Sequence, residues 1–375
     1  MNNLIKVISW PFLLLAFSMV LGCPGAGEST DENSDVANVR RNIILQYVRQ
    51  GRLTPVMREK LLTLTTQQAL TDYAQQQDAA YLESLPIDGN LAMDVLNNVV
   101  GIGPRFSGSE GMLQQQKMLE AIFEEHGGVV EYQRFKAKNP ISQQGVEVVD
   151  MANMIVRWFP ERKQRIVLCA HYDTRPFPDN DPDPQKRRGI FVGANDGGSG
   201  VAVLCALAAK MSKCKSGYGI DMVLFDGEEL VYNSARDPFF LGSTHFAQQY
   251  VIDKPEYKYV AGILLDMVAD ANLQIYQEVN SRRLAPKVVQ QVWATAKRLG
   301  ISEFRASARH EVRDDHLPLN QIAGIPTIDI IDFDYPSPQI RQTYWHTTED
   351  TADKCSAISM AHVGWVVWEW MNNQK

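Results

Sequence analysis

Glu228 and Glu229 stand side by side at the end of an apolar run, Asp221-Met222-Val223-Leu224-Phe225-Asp226. Two adjacent carboxylates repel unless a cation or a proton lies between them. Elsewhere the chain offers His171 and Asp173, Asp196, Asp266, Asp314-Asp315-His316 and Trp345-His346. Carboxylate oxygens with imidazole nitrogens, and no thiolate, form the ligand set of catalytic zinc. A second glutamate beside a ligand glutamate supplies the proton transfer that a metal enzyme needs.

Taken singly, each cluster also has a plainer reading. His171 is a ligand or a hydrogen-bonded strand-end histidine, with Asp173 as its orienting partner. Asp196 lies in the turn Gly193-Ala194-Asn195-Asp196-Gly197-Gly198-Ser199-Gly200, as a ligand or as a helix N-cap. Asp314-Asp315-His316 is a buried cluster or a surface acidic turn. Trp345 is a pocket wall or a core residue. His126, His245, His310 and His362 lack such neighbours and read as ordinary helix or surface histidines.

The elements that must position these residues alternate. Apolar strand segments are 166–170, 222–225, 261–265 and 325–331. A small-residue helix is expected over 200–211. Leu119, Ile122 and Phe123 have helical spacing, as do Val363, Val366, Val367 and Trp370 near the end. Strands alternating with helices imply a largely parallel or mixed sheet covered on both faces. His171, Glu228 and Asp266 then fall at the carboxyl ends of strands, where open α/β sheets place their sites.

Before this domain, residues 36–90 read as a helical segment packed on it. Thr54-Pro55 has the form of an N-cap followed by proline at the first helical position. Residues 23–35 read as a flexible linker. Residues 1–22 contain Lys6, the apolar stretch Val7–Leu21 and Gly22, followed by Cys23. That is a secretory leader, too short for a comfortable membrane span. Val20-Leu21-Gly22-Cys23 resembles a bacterial lipobox, which implies an exported cell-envelope lipoprotein anchored to a membrane through Cys23. The alternative is an ordinary signal peptide. The net charge of −7, with no basic run, argues against a nucleic-acid partner. Cys169, Cys205, Cys214 and Cys355 form no CxxC pair, and Cys169 and Cys205 read as buried thiols.

Over about residues 95–375 the chain resembles the zinc-dependent glutaminyl cyclases, bacterial type, which share their fold with the M28 aminopeptidases. The residues that carry the resemblance are Ile102-Gly103-Pro104-Arg105, His171-Tyr172-Asp173-Thr174, Gly193-Ala194-Asn195-Asp196 and Phe225-Asp226-Gly227-Glu228-Glu229. Leu241-Gly242-Ser243-Thr244-His245, Leu264-Leu265-Asp266-Met267, Asp314-Asp315-His316 and Trp345-His346-Thr347 complete the series. The resemblance implies a three-layer α/β/α catalytic domain over 91–375 with a mixed, mostly parallel sheet. It implies one zinc held by Asp196, Glu229 and His346. Glu228 becomes the general acid/base, Asp266 and Asp314 a hydrogen-bonded acidic pair behind it, and Trp345 a wall of the substrate pocket. The implied reaction converts N-terminal glutamine of peptides or proteins to pyroglutamate with release of ammonia. The alternative is an M28 aminopeptidase with two zincs, for which His171 and Asp266 are second-metal candidates. Trp345 before His346, the acidic pair before His316 and the insert 230–240 favour the cyclase. Departures from the animal cyclases are Leu230-Val231-Tyr232-Asn233-Ser234, where they carry a tryptophan, and Asp329, where they carry a histidine.

Overall fold

The computed structural model describes residues 30–138, 147–335 and 343–374. The expected leader 1–22 and Cys23 lie outside the described residues. Three helices come first, α1 (Thr30–Arg49), α2 (Pro55–Thr63) and α3 (Gln67–Ser84). Thr54 caps α2 as its type predicts, its side chain accepting from the amide of Met57 at 3.1 Å. Of the expected linker 23–35, residues 30–35 belong to α1 and the rest lie outside the described residues. Backbone is helical from Thr30, because extending a helix already fixed downstream costs little once its nucleus exists.

The main body follows with α4 (Gly89–Ile102), α5 (Glu110–Glu125), β1 (Val129–Lys138), β2 (Val148–Trp158), β3 (Gln164–His171), α6 (Gly200–Ala208), β4 (Gly219–Phe225), α7 (Leu241–Asp253) and β5 (Lys258–Asp266). Then come β6 (Ile275–Gln277), α8 (Val279–Leu284), α9 (Pro286–Leu299), β7 (Phe304–Ala308), α10 (His316–Gln321), β8 (Thr327–Ile331) and α11 (Ala357–Asn372). Six strands form one sheet in the order β1-β2-β4-β3-β5-β8. β4, β3, β5 and β8 run parallel, while β1 and β2 add an antiparallel edge.

Alternation along the central strands builds both layers. Ile166, Leu168 and Ala170 of β3 join Met222 and Leu224 of β4 under α4, α6 and α11. Val167, Cys169, Val223 and Phe225 face the other way, with Phe246 of α7 and Leu319 of α10. Every residue of β4 is buried, as a strand covered on both faces requires. Cys169 and Cys205 are buried thiols, as expected, and Cys214 and Cys355 are also free.

The N-terminal helices dock on this body through a polar contact that the sequence did not reveal. The Tyr81 hydroxyl meets Nε2 of His362 at 2.8 Å, and Nδ1 of the same ring meets Glu303 Oε1 at 2.8 Å. His362 is fully buried, which corrects its reading as an ordinary helix or surface histidine. The surface of α11 that carries it is covered by α3, so an imidazole there must find partners. With Nδ1 donating to Glu303, Nε2 accepts from Tyr81. Tyr81→Phe leaves that buried nitrogen without a partner. It is expected to cost about 1–3 kcal/mol, read as a lower urea midpoint at unchanged slope, with turnover retained.

Candidate active site

Four strands with a common direction bring their carboxyl ends to one crevice. His171 closes β3, Gly227-Glu228-Glu229 follows β4, and Asp266 closes β5. The tight turn 195–199 before α6 contributes Asp196. Asp314 precedes α10, and Trp345-His346 lies between β8 and α11. A cavity of about 310 Å³ opens over them, bounded by Phe239, Phe240, Ile331, Phe333 and Trp345 and floored by Asp196, Glu228, Glu229, Asp266, Asp314 and His346.

The donor atoms of Asp196, Glu229 and His346 lie within 4.8 Å of one another, and all three residues are buried. His346 Nε2 is 2.6 Å from Glu229 Oε1 and 3.3 Å from Asp196 Oδ2. Asp196 Oδ2 nonetheless has no hydrogen-bond partner. Carboxylate, carboxylate and imidazole converging on one point, with an orphaned oxygen among them, fit a tetrahedral zinc site with an open position. Two further groups share these residues. His171, Asp196 and Asp266 converge within the same span, with His171 Nε2 3.2 Å from both carboxylates. His171, Glu228 and Glu229 form the other.

Burial and charge set the protonation of the cluster without a cation. Burial alone would raise Asp196, but the neighbouring imidazoles of His171 and His346 outweigh it and hold this carboxyl below the usual range. Burial disfavours a charged His346, yet Glu229 and Asp196 keep its proton on up to about 9. That proton sits where a cation would sit. Burial raises Glu228 well above its ordinary value, with Glu229, Asp314 and Asp315 adding to the effect against His171. Burial, then the charges of Asp266 and Asp315, push Asp314 far up as well.

Several expectations about these residues change in the structure. Asp196 makes no side-chain cap, so the N-cap reading of it fails. Asp314, Asp315 and His316 are buried rather than a surface turn. No Asp266–Asp314 hydrogen bond is formed. Asp314 Oδ1 accepts from the amide of Asp315 at 2.6 Å, and its Oδ2 has no partner. A bond between two carboxyls needs a proton on one of them, and the upward shift of Asp314 is the condition for it. Asp173 does not orient His171, whose Nδ1 lies 3.7 Å away and has no hydrogen bond. It accepts instead from the amides of Glu228 at 3.1 Å and Glu229 at 3.0 Å, and so fixes the turn that carries both glutamates.

Other positioning residues were not found from the sequence. Asp350 accepts from the amides of Asn195 at 2.9 Å and Asp196 at 3.1 Å, and Tyr335 donates to it at 2.8 Å. Asn195 Oδ1 accepts from the amide of Ala269 at 2.8 Å, tying the Asp196 turn to the end of β5. Asp350 follows a Thr-Thr-Glu stretch, which in sequence looks like a solvated loop. Trp345 is half-buried, with its ring centroid 3.9 Å from that of His346, and it is among the residues that line the cavity.

Gly197 lets the Asp196 turn lie against β3. Its φ is +80°, and a Cβ there would stand 2.5 Å from the carbonyl oxygen of Asp173 and 3.1 Å from the His171 ring. Gly197→Ala is therefore expected to cost more than about 1 kcal/mol and to lower metal content. A melt and a metal analysis of the purified variant check this; wild-type values in both would contradict it.

Comparison with known proteins gives the family. The profile of peptidase family M28 matches residues 153–371. A glutaminyl-peptide cyclotransferase of Bothrops jararaca is 26% identical over 283 residues, 66% of this chain and 72% of the relative. The crystal structure of Fimbriiglobus ruber glutaminyl cyclase is 39% identical with a TM-score of 0.72, covering 77% of this chain and 96% of that one. A Zn-dependent exopeptidase from Parabacteroides distasonis is 32% identical with a TM-score of 0.70, covering 77% and 99%. The chain belongs to peptidase family M28, in the group that holds the bacterial glutaminyl cyclases.

Proposed function

We propose that this protein is a zinc-assisted glutaminyl-peptide cyclotransferase, which closes N-terminal glutamine to pyroglutamate and releases ammonia. One observation carries the reading. Glu228 faces an aromatic-walled cavity directly beside the Asp196, Glu229 and His346 donors. Bound at those three residues, zinc supplies a Lewis acid for the γ-amide carbonyl.

The protein's own groups do the rest. Phe239, Phe240, Phe333 and Trp345 form apolar walls that limit water and hold the glutaminyl side chain folded on its own α-amine. The α-nitrogen attacks the γ-carbon, and Glu228 accepts the proton this nitrogen loses. Glu228 then delivers that proton to the amide nitrogen, the carbon–nitrogen bond breaks, and ammonia leaves. Asp266 and Asp314 line the same floor as Glu228, whose burial, with Glu229, Asp314 and Asp315 nearby, favours its protonated form. The named relatives support this choice of reaction: one is a glutaminyl-peptide cyclotransferase and another a glutaminyl cyclase.

Ammonia release from a glutaminyl peptide tests the reading, and none from zinc-loaded protein would sink it. In the same assay Glu228→Gln should keep zinc and fold and lose about 10²–10⁴ in rate. Unchanged turnover would remove Glu228 from the mechanism.

A second reading has its own observation. The His171, Asp196 and Asp266 group is a second set of converging donors, so a two-zinc aminopeptidase is the alternative. Glu228 would then take its proton from water. One tightly held zinc per chain supports the cyclase and two support the peptidase.

The proposal extends to location. The run Val7–Leu21 followed by Gly22-Cys23 supports export, lipid attachment at Cys23 and residence in the cell envelope. Among the described residues no helix is long and apolar enough to cross a membrane. Mass analysis of the mature N-terminus is expected to show a lipid-modified Cys23; a chain still carrying Met1 would contradict it.

A further inference from the structure

We propose that Arg175 and Asp179 form a clamp that fixes the geometry of two metal ligands, Glu229 and His346, and so sets how long the site retains its cation. The inference rests on the reading of Asp196, Glu229 and His346 as the zinc ligands.

Arg175 lies four residues beyond the end of β3 and is buried. Its backbone amide donates to Glu229 Oε2 at 3.0 Å, and its Nη1 stands 3.5 Å from Glu229 Oε1. One residue thus addresses both oxygens of the ligand carboxylate. The rest of the guanidinium grips Asp179 as a fork, Nε to Oδ1 at 2.7 Å and Nη2 to Oδ2 at 3.0 Å. Planar two-point pairing of this kind fixes orientation as well as distance.

Asp179 carries the contact on to the second ligand. Its Oδ1 lies 3.7 Å from His346 Nδ1, the ring nitrogen that faces away from Glu229 and Asp196. That separation is beyond hydrogen-bond distance, so Asp179 acts on the ring through its charge alone, which favours hydrogen on Nδ1 and leaves the Nε2 lone pair toward the other donors. The next residue holds the backbone of the same histidine, the Asn180 amide donating to the His346 carbonyl at 3.1 Å. His346 has φ +55°, a left-handed conformation that a side chain with a Cβ adopts only when its surroundings impose it. The segment 175–180 therefore constrains the backbone of one ligand and the carboxylate of its partner, and places a charge beside the imidazole.

The plainer reading is a stabilising ion pair. It accounts poorly for Asp179, whose side chain is 45% exposed, because exposed pairs contribute little to folding. It also leaves unexplained why both the amide and the guanidinium of Arg175 turn to Glu229.

Zinc release from the loaded full-length protein, followed with a chromogenic chelator, tests the clamp. Asp179→Asn and Arg175→Gln are expected to release zinc about 10–100-fold faster than the parent, with Arg175→Lys in between because it keeps charge and loses the fork. The zinc-free Asp179→Asn protein should melt with the parent, so a lost fold cannot explain faster release. Release by Asp179→Asn indistinguishable from the parent's overturns the clamp, whether or not the Arg175 variants fold. A parent that binds no zinc overturns the assignment of the ligands itself.

Discussion

The structure depends on keeping a set of mutually repelling carboxylates together where little water reaches them. Asp173, Asp196, Glu229, Asp266, Asp314 and Asp315 are buried, and Glu228 stands among them with 14% of its side chain exposed. Each would cost several kcal/mol as an isolated buried ion. The fold meets that cost in three ways. Backbone amides face Asp173 and Asp350, imidazole and guanidinium groups face Asp196 and Glu229, and burial shifts Glu228 and Asp314 toward their neutral forms. What remains is an orphaned oxygen on Asp196, an orphaned nitrogen on His171 and an imidazole proton wedged between two carboxylates. A divalent cation held by Asp196, Glu229 and His346 would satisfy the Asp196 oxygen and take the place of that proton.

The sheet makes this concentration of charge possible. Parallel strands β4, β3, β5 and β8 end on one side, so residues far apart in sequence arrive at one crevice. The turns beyond those ends are held by groups from other elements: Asp173 grips the double glutamate, Asp350 the Asp196 turn, and segment 175–180 the His346 loop. Support of this kind keeps ligands at their positions before any metal binds.

The parts legible in the sequence were those with strong local signals. Apolar runs such as 166–170 and 222–225 become strands because they are buried on both faces, and the polar groups just past them become the site. Thr54-Pro55 is capped as its type predicts. Long-range pairing left no such mark. His362 sits in an apolar helix, and nothing near it in sequence announces Tyr81 or Glu303. Asp173 lies two residues from His171, which suggested a partnership, yet strand geometry turns its carboxylate to the Glu228 turn. β1 alternates half-buried and exposed residues, so this edge strand lacked the apolar run that marked the centre. Asp350, Arg175 and Asp179 drew no reading from the sequence, because a charge that meets its partner only in three dimensions has no signature in one.

The donor set alone serves two chemistries, since attack by an internal amine and attack by water both need a carbonyl activator and a proton carrier. What separates them is the fate of the first peptide bond. The mass of a peptide that begins with glutamine, recorded before and after incubation with the zinc-loaded protein, decides the matter. The account predicts a peptide lighter by one ammonia, with every peptide bond intact and its amino terminus blocked. A peptide shortened by its first residue, or one left unchanged, would contradict it.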